Sequence, residues 1–227
     1  SKMFSYFLKS LNYNLPKVSS LVLQFAELNF RFHEKQLKEK EFLDGYLGEV
    51  GMQLSRCSSL RHLELFIPYS IYIRGDGISN LGAHISKVEF LEVFKFQFCS
   101  GYPAYTEDLE KGFLEMTKSL KSLKHLKSLT FLDIRAQFSA GFLQELFEKI
   151  SEISTLQDVK VEIIGTAHSF QRLDGFDSLV TNLKELAKLS LEIQSSKVDP
   201  KDLSNLGRIV GKASNLRDFS LNFLDSQ

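Results

Sequence analysis

Seven copies of one short pattern run the length of this chain, and they constrain its fold more than any other feature. The pattern L-x-x-L-x-L-x-F, with conservative replacements, occurs as VSSLVLQF from Val18, LRHLELFI from Leu60, LEVFKFQF from Leu91 and LKSLTFLD from Leu126. It continues as LQDVKVEI from Leu156, LAKLSLEI from Leu186 and LRDFSLNF from Leu216. The starts are separated by 42, 31, 35, 30, 30 and 30 residues. A period of this size, held three times in a row, marks a stack of like structural units.

Each unit has two halves. Leucines at 60, 63 and 65 are spaced by three and then two, which fits neither a lone amphipathic helix nor a lone strand. The alternating part puts Leu63, Leu65 and Ile67 on one side of a strand. Ahead of it lies an apolar set at helical spacing: Val50, Leu54, Cys57 and Leu60, then Leu81, Ile85, Val88 and Leu91, and near the end Leu206, Val210, Ala213 and Leu216. Positions i, i+4 and i+7 share a helix face. The unit is therefore helix, turn, strand of about five residues and return loop. Strands joined through helices run parallel. Gly51, Gly82 and Gly207 fall in the same register of three helices, which predicts close approach of neighbouring helices there.

These motifs resemble the leucine-rich repeat family, in particular its long ribonuclease-inhibitor-like class, over about residues 15–224. The tract GISNLGAHISKVEFLEVFKF, residues 77–96, is also similar to the diverged leucine-rich repeats of ciliate protein families. The resemblance implies an α/β solenoid, a horseshoe of about seven repeats with parallel strands on its concave face and helices on its convex face. Residues 1–14, with Phe4, Phe7, Leu8 and Leu11, are expected to form an N-terminal capping helix, followed by one repeat domain over 15–227. Its strands are expected near 19–25, 61–67, 92–98, 127–133, 157–163, 187–193 and 217–223.

One departure from the family is plain. The family places Asn or Cys three residues after the third leucine. Here those positions hold Ala26, Pro68, Cys99, Ile134, Ile164, Gln194 and Leu224, of which Cys99 alone conforms. The strands instead carry an extra inward apolar residue at Phe25, Phe98, Ile163, Ile193 and Phe223. Asp133 stands at that position in the fourth unit, where an unpaired carboxylate would be costly to bury. A β-bulge that shifts the register there is expected.

Composition narrows the function. Lys plus Arg and Asp plus Glu number 28 each, so no net field favours nucleic acid or an anionic membrane. No apolar run reaches the length of a membrane span. Two cysteines, Cys57 and Cys99, cannot build a disulfide framework or a thiolate metal site and read as buried thiols of an intracellular protein. No two of His33, His62, His84, His125 and His168 have metal-ligand spacing. The stretch RGDGISNLG from Arg74 lacks the Gly-Lys-Ser/Thr of a phosphate loop and falls where a strand-to-helix loop is required. No catalytic residue, cofactor or metal is expected.

KSLKSLKHLKS spaces Lys118, Lys121, Lys124 and Lys127 three apart, which predicts a basic ridge on an outer helix face, solvated rather than functional. The segment from Glu34 to Phe42 lies in the longest interval and reads as an exposed insertion. The candidate partner surface is the concave sheet with its edge loops: Phe66, Tyr69, Tyr72, Val93, Lys95, Tyr102 and Tyr105. Aromatic residues beside a partly apolar face suit protein interfaces. The expected function is a non-enzymatic protein-interaction scaffold, for example a subunit or targeting segment of a larger assembly. The alternative is an enzyme regulator, such as a GTPase activator or ubiquitin-ligase substrate receptor. The last strand, with Phe219, Leu221 and Phe223, is expected to be met by a second copy, another subunit or further repeats.

Overall fold

The computed structural model describes residues 17–25, 40–67, 73–99, 106–135, 138–139, 141–164, 175–194 and 200–224. Seven strands form one sheet in sequence order, every neighbouring pair parallel. They are β1 (Ser20–Gln24), β2 (His62–Ile67), β3 (Val93–Cys99), β4 (Ser128–Arg135), β5 (Asp158–Ile164), β6 (Lys188–Gln194) and β7 (Asp218–Leu224). Six described helices alternate with them: α1 (Lys40–Leu54), α2 (Gly75–Ile85), α3 (Thr106–Leu120), α4 (Phe142–Ser151), α5 (Phe176–Asn182) and α6 (Pro200–Val210). The chain is thus an α/β solenoid of helix–strand units. Each strand begins two residues after the first apolar residue of its motif. The N-terminal segment 1–14 and most of the 34–42 insertion lie outside the described residues.

Register follows the motif. Leu63, Phe94, Leu129, Val159, Leu189 and Phe219 form one row across the sheet, and Leu65, Phe96, Phe131, Val161, Leu191 and Leu221 the next. In β2 to β6 these side chains are at most 1 % exposed, packed beneath the helices. At the two ends the rows are only half-buried, through Leu21 and Leu23 in β1 and Phe219, Leu221 and Phe223 in β7. Burying a Leu or Phe side chain contributes roughly 1.5–3 kcal/mol relative to leaving it in water, so the five inner units carry most of the stability.

Phenylalanine thickens this core in its middle. Phe113 on α3 lies within 6.5 Å, ring centre to ring centre, of Phe96, Phe98, Phe131, Phe138 and Phe142. The strand motif accounts for Phe96, Phe98 and Phe131. Phe113 comes from the helical half of its unit.

The bulge expected in the fourth unit is present. Gln97 pairs with Leu132 and Cys99 with Arg135, while Phe131 pairs with Val161 and Ile134 with Ile163. On both sides β4 therefore has one residue more than its partner, in the stretch that holds Asp133.

Each unit is also tied to the one before it by backbone. Where a strand begins, one carbonyl accepts two successive N–H groups of the next unit. Ser19 O takes Arg61 and His62, Arg61 O takes Glu92 and Val93, and Glu92 O takes Lys127 and Ser128. Lys127, Gln157 and Ala187 repeat the arrangement toward the C-terminus.

The helix seams depend on what stands at one register position. A Cβ on Gly82 would lie 2.6 Å from Met116 Cα, and one on Gly51 2.9 Å from His84 Cβ. Both glycines admit the following helix, as expected. Gly207 differs: nothing lies within 4 Å of its would-be Cβ, because no described helix follows α6. The same position holds Thr117, Phe147 and Asp177 in the intervening helices. Thr117 is buried and satisfies its hydroxyl on Phe113 O at 2.8 Å. Phe147 meets Phe176 edge-on at 6.3 Å.

Candidate interaction surface

The strand residues that do not face the helices make the open face of the sheet. Three rows cross it. The first runs Ser20, His62, Val93, Ser128, Asp158, Lys188 and Asp218, and the second Val22, Glu64, Lys95, Thr130, Lys160, Ser190 and Ser220. The third has Gln24, Phe66, Gln97 and Leu132 on one side of the bulge and Glu162, Glu192 and Asn222 on the other. Alternation along each strand sends these side chains away from the helices. Val22 is 61 % exposed, and Phe66, Val93 and Leu132 are half-buried. Toward the C-terminus the face becomes polar.

Of the sequence-derived candidates, Phe66, Val93 and Lys95 lie on this face, though not at one point. Phe66 pairs with Gln97 near the loop-side end of the strands, whereas Val93 pairs with His62 at the opposite end. Two same-face steps of about 6.6 Å separate those rungs, with Lys95 between them. Tyr69, Tyr72, Tyr102 and Tyr105 lie outside the described residues.

Lys95 belongs to a small charged cluster. Its Nζ is 3.2 Å from Glu64 Oε2, and His62 Nε2 donates to Glu64 Oε1 at 2.8 Å. The hydrogen bond from His62, with that from Lys95, holds the Glu64 carboxyl below the usual glutamate range. All three groups remain partly exposed, so the cluster can exchange its internal bonds for those of a partner.

The other singled-out motifs resolve into structure. RGDG is not a loop: Arg74 is the N-cap of α2, and Gly75, Asp76 and Gly77 form its first turn. Carboxylates from both neighbouring helices close on that end. Asp44 Oδ1 accepts the Arg74 N–H at 2.9 Å and Asp108 Oδ2 the Gly75 N–H at 2.8 Å, which satisfies two donors that a helix start leaves open. Side chains at 75 and 77 would collide with Asp108 and Asp44, hence the glycines. Burial pushes the Asp44 carboxyl upward despite these bonds.

The lysine run is not a ridge on one helix, because α3 ends at Leu120. Lys118 lies in its last turn, Lys121 and Lys124 in the following turn, and Lys127 just before β4. Three of them have carboxylate partners: Lys118 with Glu115, Lys121 with Glu152 and Lys127 with Glu92. Cys57 and Cys99 are buried and unbridged, and burial raises the Cys57 thiol to about 11, which keeps it protonated and unreactive. No group of three or more His, Cys, Asp or Glu side chains among the described residues could hold a metal ion. No described helix is long and apolar enough to cross a membrane.

Sequence reasoning missed a second concavity. Between α5 and α6 a groove of about 500 Å³ opens on the helix side, with Val180, Leu183, Ile209 and Ala213 in its floor and Asp177, Lys184, Arg208 and Lys212 around it. Its signal was in the repeat alignment, since Asp177 is the one charged residue among the six described helices at the seam position otherwise held by Gly, Thr or Phe.

No protein-family model matches the chain, and no curated protein does. Among solved structures, the chain is similar to one of the Toll–Spatzle complex, a molecular hub in Drosophila development and innate immunity. The identity is 14 % and the TM-score 0.31, over 91 % of this chain and 30 % of that one. A likeness this weak carries no argument; the strand order and register establish the fold.

Proposed function

We propose that the chain is a leucine-rich repeat protein of the long, helix-containing class and acts as a non-enzymatic scaffold that binds a protein on the open face of its sheet. One observation carries this reading. A purely parallel sheet ordinarily has helices covering both faces, yet the described helices cover one face and the other displays Val22, Phe66 and Val93 among polar side chains. A stacked-repeat fold keeps such a face open as an extended binding surface. Apolar groups scattered in a polar field are what a non-obligate interface contains. The contact region is the N-terminal half, with Phe66, Val93 and Lys95 on the sheet and Tyr69, Tyr72, Tyr102 and Tyr105 in the segments of sequence that follow β2 and β3.

The test starts with a partner recovered from the native source and identified by mass spectrometry, then titrated against variants by calorimetry. Alanine at Phe66, Tyr69, Tyr72, Tyr102 and Tyr105 should weaken binding far more than alanine at Lys118, Lys121 and Lys124. A partner whose affinity depended on those lysines, and fell steeply with salt, would move the site to the helix side.

A further inference from the structure

We infer that the groove between α5 and α6 is a second docking site, shaped for an acidic amphipathic helix of a partner protein. It is separate from the open face of the sheet and does not rest on that reading.

The groove exists for a reason visible in the chain. Along the other described seams, the position in question holds a residue that the next helix can cover: Gly51, Gly82, Thr117 and Phe147. In α5 it holds Asp177, which is exposed. The Asp177 carboxylate accepts the Ser178 N–H at 3.0 Å, and covering it with α6 would strip the water from its remaining lone pairs.

What remains is an apolar floor with a basic rim. Val180, Ile209 and Ala213 are half-buried, and Leu183 lies beneath them at 2 % exposure. Lys184, Arg208 and Lys212 are exposed around the floor. None of the three has a carboxylate within ion-pair distance among the described residues. Other cations on the helix side are matched, Arg61 and Lys127 on Glu92, and Lys121 and Lys149 on Glu152, while Lys87 and Lys124, each the one unmatched cation of its turn, border no such apolar floor. Asp177 is the only carboxylate lining the groove. Three unmatched cations over an apolar trough are complementary to a helix with apolar anchors at i, i+3 or i+4 and i+7 and with carboxylates on their flanks. Such a segment would lie along the seam between α5 and α6.

The experiment is fluorescence anisotropy of the whole chain with two labelled, side-chain-stapled helical peptides. One carries leucines at i, i+4 and i+7 flanked by glutamates, and its twin has lysines for the glutamates. The acidic peptide should bind and the lysine twin should not, with affinity declining as salt rises. Arg208→Glu with Lys212→Glu should lower the affinity at least about tenfold, two exposed attractions having become repulsions. Asp177→Leu should close the seam, raising the melting temperature while abolishing peptide binding. The inference is overturned if the acidic peptide does not bind or both peptides bind alike. It is also overturned if the double reversal leaves affinity intact while Lys95→Glu removes it, which would place the peptide on the open sheet face. Binding of anionic phosphatidylserine vesicles in preference to the peptide would overturn it as well.

Discussion

Replacing Gly82 and Gly207 by alanine should have opposite effects on stability, although both glycines occupy one register position of the repeat. In an exposed helix interior, alanine is favoured over glycine by about 0.8–1 kcal/mol. At Gly207 nothing opposes that gain, since the new methyl group meets no atom within 4 Å. At Gly82 the methyl carbon would stand 2.6 Å from Met116 Cα and 2.8 Å from Met116 Cβ, about 1 Å inside the carbon–carbon optimum. Backbone is what it meets, so rotating or shortening Met116 cannot relieve the clash and α2 and α3 must separate. Overpacking of this kind costs typically 1–3 kcal/mol. The net expectation is a loss of about 0–2 kcal/mol for Gly82→Ala and a gain of up to about 1 kcal/mol for Gly207→Ala. Gly51→Ala, which presses mainly on the side-chain carbon His84 Cβ, should fall between them. Urea unfolding followed by circular dichroism gives the three midpoints directly. If Gly82→Ala proved as stable as Gly207→Ala, or if Met116→Ala rescued it, the account of the seams as backbone contacts would be wrong.

Leu65→Asp or Leu191→Asp should unfold the domain, because each puts a charge at a site at most 1 % exposed. Glu64→Ala and Ser190→Ala, on the open face, should change the melting temperature little; equal effects for the two pairs would mean a wrong register. Burial of His84 beside Gly51, with Lys87 nearby, holds its imidazole below 6.5. The unfolded chain then binds a proton there more readily, so this contribution to stability is complete above the ordinary histidine pKa and is lost as pH falls through the depressed one. Urea midpoints at about pH 7.5 and 5.5 should therefore fall more for the wild-type chain than for His84→Leu, and parallel declines would refute the assignment.

The fold was legible because its information is periodic. Leu63, Leu65 and Ile67 declare their face by alternation, and Val50, Leu54 and Cys57 declare theirs by helical spacing. Seven repetitions of the same grammar leave little freedom in topology. Asp133 announced the bulge by being the wrong residue for its slot. Features set by one seam or one helix end were harder. α5 is short because it begins only at Phe176, after the left-handed Gly175, and RGDG became a helix start through Asp44 and Asp108, some thirty residues away on either side. The lysine run looked like one ridge because its three-residue spacing continued past the end of α3. The open face was legible row by row, yet the separation of Phe66 from Val93 along the strands appears only once the pairing is known.

The carbonyls that each accept two N–H groups give the stack a direction. Every described strand after β1 finds, in the unit before it, the acceptor for the two amides at its start, and the units of β2 to β6 supply the corresponding carbonyl to the unit after them. A chain emerging from the ribosome N-terminus first would thus always present a finished template to the next unit. Synthesis and assembly can then proceed in step, each unit docking as it appears, and no strand need wait for a partner not yet made.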